Sequence, residues 1–197
     1  MDLKVKTGPS TTSITTDLAK SNVRVTTASE DSLFDHWIEA ADQLIALQTN
    51  TSLMERVLVL SIPKVIPCIQ LPKPPFIDFA SVKHWDKDEN ETSVATGSLR
   101  VRTVDMLPTF EIPSISGTSE GRMEIEYQAG YADANTVPVT LKQAALMLVG
   151  HWYANREASF MDPRIMNVSK VTPLGFMELI NPHRVPTVQG ILNDGTL

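Results

Sequence analysis

The chain has 197 residues, of which 42% are hydrophobic and 20% are charged, close to the proportions of ordinary soluble globular proteins. This length allows one domain, or one domain with a modest insertion, and a core that needs no metal or disulfide. A formal net charge of −6, with only 17 scattered basic residues, argues against a surface that binds nucleic acid through its phosphates.

The cysteine content and the first residues indicate the compartment. Cys68 is the only cysteine, which excludes an intrachain disulfide and fits a reducing environment. It stands in an apolar run, where we expect a buried small side chain and no reactive thiol. Residues 1–20 lack the continuous apolar segment of a signal peptide, and no stretch reaches the roughly 18 apolar residues of a membrane span. We therefore expect synthesis in the cytoplasm and no membrane partner.

Two helices are predicted near the start of the chain. Thr15, Thr16 and Asp17 form a helix-start pattern that leads into a short helix over 18–23. In residues 31–48 the apolar side chains recur at spacings of three and four, with Asp42 among the polar residues on the other side. This pattern predicts an amphipathic helix with one buried face.

From Glu55 the hydrophobic period changes to that of short strands. A polar turn at 86–91 separates two of the candidates, and the last candidate alternates polar and apolar residues as a half-exposed strand does. Prolines interrupt several runs and indicate edge strands or bulges. The strand candidates are 57–60, 68–71, 76–82, 82–85 and 92–94 on the two sides of the turn, 98–104 and 122–128. The middle third is therefore predicted to be a small antiparallel β unit.

A third helix and an arm complete the chain. Pro138 and Thr140 mark a helix start, and apolar residues from Leu141 onward cover most of the circumference up to residue 157. Such a helix is central to the core or shared with a neighbouring subunit. Beyond Phe160, prolines and scattered apolar residues predict an extended arm with one or two helical turns, loosely packed until a partner buries it.

Motifs for catalysis or metal binding are absent from the sequence. Asp86, Asp88 and Asn90 match the first ligands of a calcium loop, but the positions that require glycine and glutamate hold Glu91 and Gly97. The four histidines are isolated, and there is no HExxH, GxSxG, phosphate loop or GxGxxG turn. We therefore expect no catalytic residue, no metal and no cofactor.

One cluster at the end of the third helix, His151 to Glu157, is rich in both aromatic and polar groups. In a small cytosolic enzyme or ligand-binding domain it would line a concave pocket together with His84 or Cys68. A structural role is favoured, because Arg156 at a helix C-terminus complements the helix dipole and Trp152 lies on the core stripe.

The order of several segments resembles the head-tail connector (adaptor) family of long-tailed bacteriophages and gene transfer agents. The family has two short helices with an Ala-Ala segment, strands that end in Tyr-x-Ala-Gly-Tyr, and a Val-Pro followed by a long helix ending in His-Trp-Tyr-x-Asn-Arg-Glu. Its tail carries Pro-x-Gly and Pro-x-Arg. The corresponding segments here are Trp37–Asp42, Tyr127–Tyr131, Val137–Pro138, His151–Glu157, Pro173–Gly175 and Pro182–Arg184.

Patterns and resemblance together predict an α+β fold, with a small helical core of about three helices, an inserted antiparallel β unit and an extended C-terminal arm. Residues 1–160 would form the adaptor domain, with helices within 15–48 and 138–157 and the β insertion at 55–130. Residues 161–197 would form the C-terminal docking arm.

The resemblance implies a non-enzymatic virion protein at the head-tail junction, made in the host cytoplasm. It would form a homo-oligomeric ring, a dodecamer like the portal, between the portal and the stopper or tail protein. DNA would pass through the lumen without specific binding, past a surface that we expect to be acidic or neutral. The alternatives are a stopper or tail terminator, which are usually β-dominated, and the small enzyme or binding domain named above.

Two groups of residues are expected to serve assembly. The residues expected to dock on the portal or a neighbour are Pro173, Leu174, Phe176, Met177, Leu179, Ile180 and Arg184. The residues expected in the core or ring helix are Leu141, Ala145, Leu148, Trp152, Tyr153 and Arg156.

Overall fold

The computed structural model describes residues 1–104, 107–113, 115, 119–156 and 175–185, which fall into two compact units. The strand unit takes residues 1–10, 50–131 and 185. The helical unit takes residues 11–49 together with the described residues between 132 and 184. The predicted α+β class is confirmed, and the described residues contain four α-helices.

The strand unit contains β1 (Asp2–Thr7), β2 (Arg56–Ile62), β3 (Cys68–Gln70), β4 (Phe76–Trp85), β5 (Glu91–Val94), β6 (Arg100–Val104), β7 (Leu107–Glu111) and β8 (Arg122–Ala129). The helical unit contains α1 (Thr16–Asn22), α2 (Asp31–Thr49), α3 (Val139–Ala154) and α4 (Phe176–Ile180). Short 3₁₀ turns lie at Thr96–Ser98 and Asn181–His183.

The strands form two antiparallel sheets, a five-stranded sheet of order β1-β2-β8-β4-β5 and a three-stranded sheet of order β3-β7-β6. β8 pairs with β2 on one side and β4 on the other, and its alternating sequence buries Met123, Ile125 and Tyr127 on one face. Phe79 of β4 and Phe110 of β7 meet with ring centroids 5.1 Å apart. The inner faces of the two sheets therefore share one core.

The helical unit is built around α3, which contacts α1, α2 and α4. Leu141, Ala145 and Leu148 of α3 are buried, as are Phe34 and Ile45 of α2. Thr15 caps α1 as predicted, since its hydroxyl accepts a hydrogen bond from the Leu18 amide at 3.2 Å. The periodicity of the sequence thus located both long helices to within a few residues of their ends.

Three local expectations were wrong or incomplete. Cys68 is exposed, because its neighbour Ile69 on the short strand β3 points into the core and alternation turns the thiol outward. Asp42 is buried and does not lie on a solvated face, since its carboxylate accepts hydrogen bonds from the Ser13 amide at 2.8 Å and from the Ser13 hydroxyl. β1 was not predicted, although residues 2–6 alternate polar and apolar side chains as a strand does, because the segment is short and its side chains are mostly exposed.

Candidate functional site

The Tyr-x-Ala-Gly-Tyr element closes the end of β8 within the strand unit. The Tyr127 hydroxyl donates to the Pro72 carbonyl at 2.7 Å, and burial raises the pKa of this phenol. The Gly130 amide donates to the Pro75 carbonyl at 2.8 Å. The Tyr131 carbonyl accepts from the Glu55 amide at 3.0 Å. The element therefore fixes the proline-rich segment and the start of β2 against the end of β8.

The backbone conformation at the end of β8 requires a glycine at position 130. Its φ is +121°, and a Cβ built there would lie 2.3 Å from the Met54 carbonyl oxygen, a main-chain atom that cannot rotate away. A side chain at this position meets both strain and a collision. The glycine of the motif thus has a structural role in strand closure.

The end of α3 carries a second cluster, in which Arg156 forms a bidentate ion pair with Glu30 just before α2. The two nitrogen-oxygen distances are 2.7 Å and 2.8 Å. The hydrogen bond from Arg156 lowers the pKa of Glu30, and the same bond raises the pKa of Arg156. Planar pairing of this kind fixes direction as well as distance between the two helices.

Aromatic rings complete this cluster, which we call the aromatic-arginine clamp (Glu30, Phe34, Trp37, Tyr153 and Arg156). The Arg156 guanidinium lies 4.8 Å from the Tyr153 ring centroid and 5.6 Å from that of Trp37. Tyr153 stacks on the buried Phe34 ring at 5.6 Å, and Trp37 meets Phe34 edge-on at 5.5 Å. The clamp joins α2 to α3 through ion pairing, cation-π contact and ring packing.

The rest of the His-Trp-Tyr-x-Asn-Arg motif ends the helix. The Asn155 side-chain amide donates to the His151 carbonyl at 2.8 Å, and the Asn155 main-chain amide donates to the same carbonyl at 3.0 Å, so both bonds close the end of α3. Trp152 is half-buried. The favoured structural interpretation therefore accounts for Tyr153, Asn155 and Arg156. Sequence reasoning missed Glu30, because nothing in its neighbourhood signals a partner 126 positions away.

The expected docking residues on α4 and the turn after it fall into a buried set and a more exposed set. Phe176 and Ile180 are fully buried and hold α4 on the helical unit, where α4 contacts α3 and α2. Met177 is 36% exposed, Leu179 is half-buried and Arg184 is exposed. His183 shares a hydrogen bond of 2.7 Å with the Thr140 hydroxyl at the start of α3.

Pro173 and Leu174 lie outside the described residues, as do most residues of the expected arm. Of the expected core or ring residues, Leu141, Ala145 and Leu148 are buried, Trp152 and Tyr153 are half-buried, and Arg156 is in the clamp. The docking and ring roles of both groups stay predictions. Loose packing of the arm does not hold for α4, whose Phe176 and Ile180 are buried on the helical unit.

The acidic turn between β4 and β5 has a structural role. Asp86 organises the β4–β5 turn, because its carboxylate accepts from the Asn90 side chain at 3.0 Å and from the Asn90 and Asp88 amides at 2.9 Å and 2.8 Å. These bonds lower the pKa of Asp86, and the bond from the Asn90 side chain has the largest effect. Within the described residues, no three His, Cys, Asp or Glu side chains group as metal ligands, and no helix is long and apolar enough to cross a bilayer.

Comparisons with known proteins place these features in a family context. Residues 109–184, less than half of the chain, match the family model described as phage gp6-like head-tail connector protein. This segment contains β8, the Tyr-x-Ala-Gly-Tyr element, α3 and α4. No curated protein matches the sequence.

Solved structures match nearly the whole chain. A chain in the neck of an empty gene transfer agent particle, computed with C6 symmetry, has a TM-score of 0.74 at 25% identity, over 96% of this chain and 98% of that one. A chain of the native gene transfer agent virion has a TM-score of 0.72, and one in the native neck computed with C12 symmetry has 0.69. Both are 24% identical, with the same coverage. The predicted resemblance to head-tail connectors is confirmed.

Proposed function

We propose that this chain, whose residues 109–184 match the gp6-like head-tail connectors, is a structural head-to-tail adaptor of a tailed phage or gene transfer agent. Twelve copies form a ring at the head-tail junction, between the portal and the stopper or tail protein. The protein is not an enzyme, and DNA passes through the central channel of the ring.

The observation that carries this proposal is the fold likeness over 96% of the chain to a chain in the neck of a gene transfer agent particle. The alignment also covers 98% of that chain. Since fold alone does not fix function, the family match of residues 109–184 adds support from the sequence.

The rival assignment to a stopper or tail terminator is less favoured. Such proteins are usually β-dominated, whereas α3 here is a 16-residue helix at the centre of a separate helical unit. The aromatic-arginine clamp and the buried face of α4 both serve that unit. The helical unit is therefore a main part of the protein and not a peripheral addition.

Portal docking is assigned to the exposed side of α4 and the turn after it. Met177, Leu179 and Arg184 are available there, while Phe176 and Ile180 hold the helix in place. An apolar pair beside one arginine offers a partner both buried area and a directional ion pair.

Passage of DNA is supported by the balance of charge on the outer face of the five-stranded sheet. Glu126 pairs with Lys6 at 2.8 Å. Lys83 pairs with Glu91 at 2.7 Å, and the negative charge of Glu124 also helps to raise the pKa of Lys83. Lysines on this face are thus neutralised by carboxylates. A balanced surface of this kind neither binds nor strongly repels a phosphate backbone.

The test is assembly with the portal protein of the same particle. The two purified proteins are mixed, and native mass spectrometry with negative-stain microscopy counts the copies on each portal. We expect twelve copies in a closed ring. Absence of any complex, with both proteins folded, would contradict the proposal.

Substitutions separate docking from folding. Met177→Asp should prevent portal binding while leaving the thermal unfolding temperature unchanged, because Met177 is exposed. Phe176→Ala is the matched control, since it should lower stability by about 3–5 kcal/mol through loss of a buried ring. If Met177→Asp binds the portal as the original chain does, α4 is not the docking helix.

A further inference from the structure

Each sheet of the strand unit ends in a short exposed strand. β5 is the outer strand of the five-stranded sheet and β6 the outer strand of the three-stranded sheet, and no strand of the described residues pairs with their outer edges. Arg100, Val101 and Arg102 are exposed, Val101 by 42%. A free edge presents unpaired amides and carbonyls to any strand that can reach it.

The free edge of β6 is basic. Val101 lies opposite Phe110 in the register, and Phe110 is fully buried. Alternation therefore places Arg100 and Arg102 together on the opposite face. Within the described residues, no carboxylate forms an ion pair with either guanidinium, although Glu111 lies opposite Arg100 in the register.

The hairpin that carries the free edge of β5 is acidic. Its turn, residues 86–91, holds four carboxylates and the single cation Lys87. Glu89 pairs with Arg122 at 2.9 Å and Glu91 with Lys83 at 2.7 Å. Asp88 is exposed and pairs with no cation of the described residues. The negative charge of this hairpin complements the positive charge of the β6 edge, and its strand β5 can pair with β6.

We propose that the β6 edge of one copy receives the acidic β4–β5 hairpin of the next copy in the ring. This contact rests on the proposed function and names the surface that closes the ring. The two surfaces are different parts of the chain, so the contact is heterologous and repeats head to tail, as a ring requires. Pairing adds strand β5 of one subunit to the three-stranded sheet of its neighbour.

A protein strand fits this edge better than DNA does. A phosphate backbone would satisfy Arg100 and Arg102, but it would leave the backbone groups of β6 unpaired and the Val101 side chain in contact with water. A strand from a second copy covers all three. The net charge of −6 on each copy also opposes the approach of DNA.

The experiment uses the full chain and its portal protein, with copies per portal counted by native mass spectrometry. R100E/R102E should abolish rings, and D88R should weaken them. The triple variant R100E/R102E/D88R should restore ring closure, because the reversed charges meet again between neighbours. K4E/K64E changes the net charge by the same amount as R100E/R102E at exposed positions away from this contact. This control should assemble normally.

Each other outcome has a defined meaning. Rings of normal size from R100E/R102E would overturn this contact while leaving the adaptor function intact. Loss of rings that D88R does not rescue would assign the arginines to another partner. Loss of rings in both R100E/R102E and K4E/K64E would trace the defect to net charge and overturn this contact. Normal rings from R100E/R102E that bind a duplex oligonucleotide more weakly than the original chain would assign the edge to DNA. Failure of the original chain to assemble would overturn the adaptor function, and this contact with it.

Discussion

Replacement of Gly130 by alanine tests whether the Tyr-x-Ala-Gly-Tyr element closes the strand unit. The added Cβ would lie 2.3 Å from the Met54 carbonyl oxygen and 2.7 Å from the Glu55 nitrogen, so the entry to β2 must move. The residue must also hold a φ of +121°, which costs a non-glycine residue about 1–3 kcal/mol. Movement weakens the hydrogen bond from the Gly130 amide to the Pro75 carbonyl, worth about 1 kcal/mol.

Together these effects predict a loss of about 2–4 kcal/mol in the free energy of unfolding, a large part of the stability of an ordinary domain. Urea denaturation followed by circular dichroism measures it, and with a slope of about 2 kcal/mol per M the midpoint should fall by about 1–2 M. Gly8→Ala is the control, because no atom lies within 4 Å of its added Cβ. It should change stability by less than about 0.5 kcal/mol. Equal midpoints for the two variants would refute the closure argument.

Three further predictions concern packing and pairing within each of the two units. Leu148→Ala should lower the free energy of unfolding by about 2–5 kcal/mol in the same urea assay, because Leu148 is fully buried on α3. A smaller loss would mean that α3 is not central to the core of the helical unit. Tyr127→Phe should cost about 1 kcal/mol through the lost bond to Pro72. Since burial raises the pKa of Tyr127 above its ordinary 10.0, the unfolded chain loses this proton first. The stability from the neutral phenol is complete below pH 10 and is lost as the pH rises through the folded pKa, a decline that Tyr127→Phe should reduce. Glu30→Ala and Arg156→Ala should each lower the thermal unfolding temperature. The decrease for the double variant should be smaller than the sum of the two single decreases, because either change breaks the same ion pair. Additive decreases would show that the pair is not coupled.

Much of the fold could be read from local patterns. The recurrence of apolar residues at spacings of three and four located α2 and α3, and alternation located β8 with its buried Met123, Ile125 and Tyr127. These patterns work because one buried face imposes the period of the element on its sequence. The motifs at 127–131 and 151–156 lie at the ends of such elements, where a glycine or a cap leaves a local signature.

Contacts between distant segments decided the rest. Asp42 has the spacing of a solvent-facing residue, yet the segment around Ser13 covers it and supplies its hydrogen bonds. Residues 2–6 alternate polar and apolar side chains, but the segment is short, and β1 forms because the edge of β2 offers it backbone partners from Val57 to Ser61. In both cases the partner is supplied by a remote part of the chain, which residue spacing does not identify.

The candidate site divides in the same way. The sequence by itself determined that Tyr153 and Arg156 lie at the end of a core helix, because helix period and end signals are local. Only the tertiary structure decided that Arg156 meets Glu30 and the ring of Trp37, and that Phe176 and Ile180 are already buried while Met177 remains exposed. The physical reason is that side-chain contacts depend on how elements pack, and packing is fixed by the whole chain at once.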